Sequence, residues 1–509
     1  MLYFIIGLVI LIVGGVVYAK VCEVTFGPDD RETPANAMRD GVDYVPMKFW
    51  KNALVELLNI AGTGPILGPI LGILYGPIAF ILIPIGNVLA GSMHDYFSGM
   101  ISMRNKGAQM PLLIRKYLGS KTKAFYNVVV TVLMFLVGAV FTSIPGELFT
   151  TQILGQEAVI GNPTLWIVYG FIFLYYFIAT LFPIDAIIGR IYPIFGAFLI
   201  IASFGIFVGL FPRMGELTNI EWGNLAGQNM MKLPIIPTFF VTVACGILSG
   251  FHATQATLIS RTVEDEKQGK ATFYYMMLVE GFIAMVWAAG AMVIYNGLMA
   301  KGVAMADFPG GTPMVGEITK GFLGNVGGLL AIIGVIVLPI TSGDTALRSL
   351  RLMLGEQMGI DQGDKGKRLA LSIAIFIPTA AILVFSKLNP NGFNVLWRYF
   401  AFTNQFIATF ALSMIAVYLF IRNKNGWIAL IPGMFYCFIV MSFILNAKIG
   451  FNLDTLVGLP EGSFTASYIV AAIITIIYAF VTVNYANKHG MKLEEVDAFQ
   501  FLEDKKKNA

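Results

Sequence analysis

The chain has 509 residues, 57% hydrophobic and only 13% charged, with a mean hydropathy of +0.75. Soluble domains carry about 25% charged residues, so a soluble globular protein is excluded, and a formal net charge of +4 gives no footing for nucleic-acid binding. Cys22, Cys245 and Cys437 lie too far apart for a metal spacing or a disulfide framework, and no resident metal or cofactor is expected.

From the start of the chain, Met1–Ala19 is apolar but has no basic n-region, and reads as a retained span, not a cleaved signal. Apolar stretches long enough to cross a bilayer then recur to the end. Thirteen spans are predicted, at 2–19, 49–75, 77–102, 124–145, 164–182, 190–211, 235–259, 272–299, 326–346, 369–386, 394–421, 427–447 and 466–486. With the N-terminus outside, the loops 20–51, 104–123, 183–190, 260–270, 348–368, 422–425 and 487–509 face inward and hold 27 of the 34 Lys and Arg. The outer loops hold 6, and Arg398 lies within a span. This bias sets orientation: N-terminus outside and C-terminus cytoplasmic. The Glu/Lys-rich tail from His489 reads as a frayed cytoplasmic helix.

Two spans are broken at mid-length. Span 2 reads Asn59-Ile-Ala-Gly62-Thr63-Gly64-Pro65-Ile-Leu-Gly68-Pro69, and span 7 reads Cys245-Gly246-Ile-Leu-Ser249-Gly250-Phe251-His252-Ala-Thr254-Gln255. Lipid cannot solvate a free backbone N–H or C=O, so a membrane chain unwinds only where protein, water or a solute satisfies those groups. Paired broken helices mark the central site of many secondary transporters. Each break opens a run of five spans, 2–6 and 7–11, and the two runs begin on opposite sides of the membrane. The expected architecture is an all-α polytopic protein with a 5+5 inverted-repeat core. Residues 1–48 form a first span and loop, 49–211 and 235–421 the two repeats, and 422–509 two extra spans and a tail.

At the first break, Gly62 and Gly64 let a solute approach the backbone, Thr63 adds a hydroxyl, and Pro65 suits the first turn of a new half-helix. The N–H groups of that half-helix offer a site for a carboxylate. The alternative is a Gly/Pro kink or close helix packing. At the second break, Gly250, Phe251, His252 and Gln255 are candidate solute contacts. His252 has a pKa suited to proton transfer near neutral pH, or it is a core histidine donating to a carbonyl. Ionisable residues inside spans are functional candidates by default: His94 and Asp95 in span 3, Glu280 in span 8, and Asp344 in span 9 beside Thr341 and Ser342. Asp344 either handles the coupling ion or pairs with Arg348 one turn on. Glu56 and Glu147 read as span-end residues reaching an aqueous vestibule, and Arg398 as a snorkelling cation. No hydrolase, zincin or phosphate-loop motif is present, so no enzymatic activity is expected.

Several segments resemble the carbon starvation protein A (CstA) family of bacterial inner-membrane transporters. They are Thr33-Pro34-Ala35, Asp40-Gly41-Val-Asp43-Tyr44-Val45-Pro46, Ala61-Gly62-Thr63-Gly64-Pro65, Ala90-Gly91-Ser-Met-His94-Asp95, Glu264 to Lys270, Glu280-Gly281, and Leu338-Pro-Ile-Thr341-Ser342-Gly343-Asp344-Thr345 with Arg348 and Arg351. The similarity covers about residues 30–355 and is loose over spans 10–13. Long members carry His-His-Phe where this chain has Leu57-Leu58-Asn59, so no role of those histidines transfers. The resemblance implies uptake of peptides, and in some members of pyruvate with protons, under carbon limitation. It also implies a LeuT-type fold, in which the first core helix and a Ser/Thr pair on the eighth build a sodium site. Those positions correspond here to span 2 and Thr341-Ser342.

The sequence therefore points to a cation-coupled importer of a small carboxylate-bearing nutrient, a peptide, an amino acid or pyruvate, working by alternating access with Na+ or H+. The competing classes are a channel and a nutrient sensor. A channel calls for continuous polar stripes where the chain has isolated mid-span clusters, and a sensor calls for an output domain. The sequence sets neither the solute nor the oligomeric state.

Overall fold

A chain immersed in lipid must satisfy its backbone internally, and this one does so as helix. The structure, a computed structural model, describes residues 1–41, 43–181, 184–360, 363–389 and 392–499, without the side chains of 180–195, 306 and 394. Among the described residues no strand forms beyond one isolated bridge between Met47 and Val263. The predicted loop 183–190 with Arg190, and the tail beyond residue 499, fall outside the described side chains.

Nine helices among the described residues are long and apolar enough to cross a membrane, and ten if the pair Phe49–Ile60 and Gly64–Tyr75, bent by 47°, is one span. The nine lie at predicted spans 1, 4, 6 and 8–13, and the bent pair is span 2. The stretches predicted as spans 3, 5 and 7 are helical without meeting that criterion. Span 3 is built from Ala79–Gly86, a π-turn at Asn87–Gly91, and Ser92–Arg104. Span 7 is assembled from pieces no longer than the ten residues of Gly250–Ile259. Spans 3 and 7, the polar and broken ones, are passed over by a hydropathy criterion, whereas the apolar helix of span 5, Pro163–Ala179, falls short of it in length.

Span 9 is longer than its predicted 326–346. Helix runs from Gly311 to Met358 with an interruption at Gly324, whose φ of 67° is open to a residue without Cβ. Of the nine long helices, spans 8 and 11 are the most enclosed, with 78% and 83% of their apolar windows buried, against 28% for span 1 and 22% for span 13, and all ten residues of Gly250–Ile259 in span 7 are buried. The two breaks therefore lie among central helices, with spans 1 and 13 at the periphery.

The end of the molecule that carries the basic loops is tied together by polar contacts. Loop 27–47 packs over loop 262–266: Asn36 donates to the Glu264 carbonyl (3.1 Å), and Asp29 N–H donates to Glu266 (2.8 Å). Arg104, at the end of span 3, binds the same Glu266 at 2.7 and 3.0 Å. The described part of the tail, to residue 499, is docked here, not frayed. Glu494 pairs with Arg422 and accepts from the Tyr117 hydroxyl (2.8 Å), and Asp497 pairs with Lys106.

Candidate functional site

Span 2 opens where its sequence removes the means of staying helical. Ala61 turns out of the helix (ψ 55°), and the Gly62 amide, whose regular partner would be the Leu58 carbonyl, bonds to Ile60 instead (2.9 Å). The freed Leu58 carbonyl accepts from the Ser342 hydroxyl of span 9 at 2.7 Å. Spans 2 and 9 thus meet at the residues where a family-type sodium site is expected, but hydroxyl and carbonyl are in direct contact. Thr63 stands at the N-cap of the second half-helix. Its hydroxyl makes no capping bond and is buried without a partner among the described residues.

Span 7 comes apart differently. Val243 leaves helical geometry (φ −101°, ψ 34°), and Leu248 and Ser249 are extended (ψ 127° and 122°). Two asparagines from other spans take up the freed groups. Asn87 of span 3 donates to the Gly246 carbonyl at 3.1 Å, and the Asn404 Oδ1 of span 11 accepts from the Phe251 amide at 2.8 Å. His252 and Gln255, predicted inside the break, lie in the regular half-helix that follows it.

The breaks pack directly on one another. A Cβ on Gly64 would lie 2.1 Å from Cys245 Cβ, and one on Gly68 would lie 3.2 Å from the Thr242 carbonyl. A Cβ on Gly62 would meet Phe141 at 2.7 Å, and Phe141 in turn packs edge-on against Phe251 (centroids 6.1 Å apart). The space that Gly64 leaves open is therefore filled by Cys245. Glycine is required here for helix contact, in addition to any approach by a solute. Pro65 lies in the first turn of the new half-helix, as its missing N–H favours.

Beside the breaks lies a cluster of ionisable side chains, each wholly buried: Glu56, His94, Asp95, His252 and Glu280. Asp95 accepts from two imidazoles, His94 Nδ1 at 2.8 Å and His252 Nδ1 at 3.1 Å. His252 Nδ1 is also 3.7 Å from Glu280. A carboxylate only accepts, so this arrangement assigns both imidazoles the Nδ1–H tautomer. In the neutral ring Nε2 then carries the lone pair, and both Nε2 atoms are buried without a hydrogen-bond partner among the described residues. So are both carboxyl oxygens of Glu56 and of Glu280, the side chain of Asn59, and Gln255 Oε1. Burying unpaired polar atoms is costly, and so many in one place mark room for protons, water or a bound solute.

The sequence reading is redrawn in places. His252, grouped there with the solute contacts, shares Asp95 as hydrogen-bond partner with His94 and lies 3.7 Å from Glu280, so it joins the group offered for coupling. Glu56, expected at an aqueous vestibule, is fully buried, and electrostatics couple it to both Asp95 and Glu280. Glu147 does sit near a span end, paired with Lys387, and Arg398 is exposed. Thr341 donates to Leu338 in its own helix (2.7 Å), and the described hydrogen bond of Arg348 goes to the Ala179 carbonyl (2.9 Å). Asp344 is almost wholly buried near these residues, away from the histidine cluster's described contacts. Asn87 and Asn404 were missed. Their signal was legible: an amide inside an apolar span needs a partner, and a broken helix needs amides. Among the described residues no group of three or more His, Cys, Asp or Glu is arranged to hold a metal ion.

The fold resembles solved transporters at low identity. A crystal structure of MhsT in complex with L-phenylalanine matches with a TM-score of 0.55 at 15% identity, covering 87% of this chain and 99% of that one. A mutant of the Eremococcus coleocola manganese transporter matches at 0.52 and 13% identity, over 90% of this chain and 99% of that one. The fold is thus LeuT-type. In sequence, an uncharacterized membrane protein of Haemophilus influenzae is 41% identical over 340 residues, 58% of this chain and 92% of its own length. Peptide transporter CstA of Escherichia coli K12 is 24% identical over 551 aligned positions, 83% of this chain and 78% of its own. The protein of that name in Mycobacterium tuberculosis H37Rv is 23% identical over 83% of this chain and 71% of its own length. The family model "Carbon starvation protein CstA" matches residues 1–160, 145–313 and 310–443. The chain is a multi-pass membrane transporter, not an enzyme, and it belongs to the carbon starvation protein CstA family.

Proposed function

We propose that this transporter is a proton-coupled importer of a small carboxylate-bearing nutrient, oriented with its C-terminus and basic loops in the cytoplasm. The observation that carries the reading is Asp95 held between His94 and His252, with Glu280 and Glu56 beside them, all buried against both breaks. A proton that enters this group has four open acceptors: two imidazole Nε2 atoms and two carboxyls. Its uptake changes the charge beside both half-helices, the pieces whose relative placement distinguishes the two access states. The solute's carboxylate would lie between the two half-helix N-termini, the one that begins at Thr63-Gly64-Pro65, where the Thr63 hydroxyl and the Asn59 amide are unpaired, and the one at Gly250-Phe251. Gly250, Phe251 and Gln255 would close the other side. Relatives named as peptide transporters favour a peptide, whose C-terminal carboxylate fits such a terminus. Pyruvate and single amino acids carry the same group.

One observation favours sodium as a second reading: Ser342 and the Leu58 carbonyl meet in the register of a sodium site. Uptake by purified protein in liposomes separates the two. Labelled alanylalanine, alanine and pyruvate are offered under an imposed proton gradient, a sodium gradient, or neither. The proposal expects accumulation of at least one of them with the proton gradient alone, lost in His252→Gln and in Glu280→Gln. Accumulation with sodium alone would transfer coupling to spans 2 and 9. No accumulation of any of the three under either gradient would remove the importer reading for these solutes.

A further inference from the structure

Asn404 and Gln405, consecutive on span 11, hold every piece of broken span 7. Gln405 Nε2 donates to the Phe240 carbonyl at 2.6 Å, on the piece before Val243. Asn404 Nδ2 lies 3.5 Å from Cys245 Sγ, on the middle piece. Asn404 Oδ1 accepts from Ser249 Oγ at 3.1 Å and from the Phe251 amide at 2.8 Å, at the start of the last piece. Both side chains are wholly buried. Span 11 also approaches without any gap, since a Cβ on Gly250 would lie 2.4 Å from the Asn404 carbonyl. The breaks at Val243 and Leu248–Ser249 are therefore spanned by side chains of one neighbouring helix.

Two consequences follow from the chemistry. The pieces of span 7 cannot turn relative to one another unless these contacts with span 11 let go. The acceptor on the Phe251 amide, moreover, stands at the positive end of a ten-residue half-helix, where an anionic ligand of span 7 would have to bind. A carboxylate would be the stronger acceptor there, because charge-assisted hydrogen bonds are roughly twice as strong as neutral ones.

We infer that Asn404 and Gln405 form a clamp that sets the hinge of span 7, and that the solute carboxylate displaces Asn404 Oδ1 from the Phe251 amide to release it. Both are positioning residues, and the inference rests on the transport reading above. Holding span 7 closed keeps the binding-competent state a minority, which weakens apparent affinity by the fraction that is competent. Removing the clamp should therefore tighten binding as it loosens the hinge.

Two arms test this. The first uses Cys245 as a reporter, in Cys22→Ser, Cys437→Ser protein, and follows its alkylation by N-ethylmaleimide in detergent, with no solute needed. Asn404→Ala and Gln405→Ala should each raise the alkylation rate roughly fivefold, as the loss of about one hydrogen bond's worth of closure requires. Ser442→Ala, which removes a buried hydroxyl of span 12 bonded within its own helix, should leave the rate unchanged. The second arm reads KM for alanylalanine uptake. Asn404→Ala should lower it severalfold, and Asn404→Asp, which puts a charged competitor on the Phe251 amide, should raise it. Equal alkylation in clamp and control variants, or KM moving the same way for both substitutions at Asn404, would overturn the inference. If alanylalanine is not carried at all, the uptake reading fails while the alkylation arm still decides the clamp; Asn404→Ser, which keeps a small polar side chain, replaces Asn404→Ala if that variant does not fold.

Discussion

The two broken spans solve one problem in opposite ways. In span 2 the break is short and local: the helix opens over the three residues Ala61, Gly62 and Thr63, flanked by Gly64 and Pro65, and one hydroxyl, Ser342, takes up the freed Leu58 carbonyl. In span 7 the distortion runs from Val243 to Ser249. It has no proline of its own there, and it depends on Asn87, Asn404 and Gln405 from two other helices. The first break is written into its own sequence, and the second is imposed by neighbours. A break held from outside is the easier one to remodel, because its geometry changes whenever those neighbours move. On the proposed mechanism, span 2 is the fixed shoulder and span 7 the moving part.

The largest effect that tests this contrast is expected where the breaks touch. Gly64→Ala places a methyl 2.1 Å from Cys245 Cβ, well inside van der Waals contact. Uptake should be abolished. Gly64→Ala with Cys245→Gly should restore a substantial part of it, whereas Cys245→Ala, which keeps the offending Cβ, should not. Rescue by neither would mean that Gly64 serves a solute and not the helix contact. Wild-type uptake by Gly64→Ala would deny that the breaks pack as described.

A smaller loss is expected from Ser342→Ala, which leaves the Leu58 carbonyl unsatisfied in a dry interior. The cost is about 1–3 kcal/mol, read as a lowered unfolding temperature in detergent. The proton-driven reading keeps uptake sodium-independent in this variant. A sodium requirement in the wild type that disappears with Ser342→Ala would assign the residue to an ion site.

How far the sequence carried can be read from these particular residues. Glycine and proline announced the first break to within about two residues, at 62–65 where residues 61–63 are unwound, because their effect on backbone geometry is local. Hydropathy gave the long apolar helices, and the resemblance gave the fold. The second break was located only to within several residues, since Leu248 and Ser249 have no intrinsic reason to be extended; Asn404, some 155 positions on, supplies one. Glu56 was misplaced for a similar reason. Its position near a span end suggested water, but its helix is packed against spans 6, 7, 8 and 9 and the side chain is wholly buried, and only packing reveals that. Asp95 and His252 sit 157 residues apart, and nothing in the order of the chain says that they share a hydrogen bond.

The weakest expected effect lies far from both breaks, in the docked tail. Burial works against a charge on Asp497, yet the Lys106 ammonium and the Phe499 amide hold its carboxyl below the usual range. A depressed carboxyl contributes stability above its unfolded pKa and loses it as pH falls through the folded value. Tail docking should therefore weaken in acid and in high salt. Protease nicking after residue 489 should rise under both conditions, and at neutral pH in Glu494→Gln. Unchanged cleavage would show that the apolar contacts of Leu493 and Ala498 hold the tail alone. A cysteine at Glu503, labelled from one side only in intact cells, fixes orientation by the same tail; labelling from outside would reverse the topology.

The central claim is that protons move with solute through the group around Asp95. The most direct measurement is proton entry into liposomes loaded with a pH-sensitive dye, on addition of whichever solute the uptake assay identifies. Solute exchange is recorded in parallel for wild type and Asp95→Asn. The account predicts solute-dependent acidification by wild type, and for Asp95→Asn solute exchange without acidification. Acidification by Asp95→Asn at the wild-type ratio of protons to solute would contradict it.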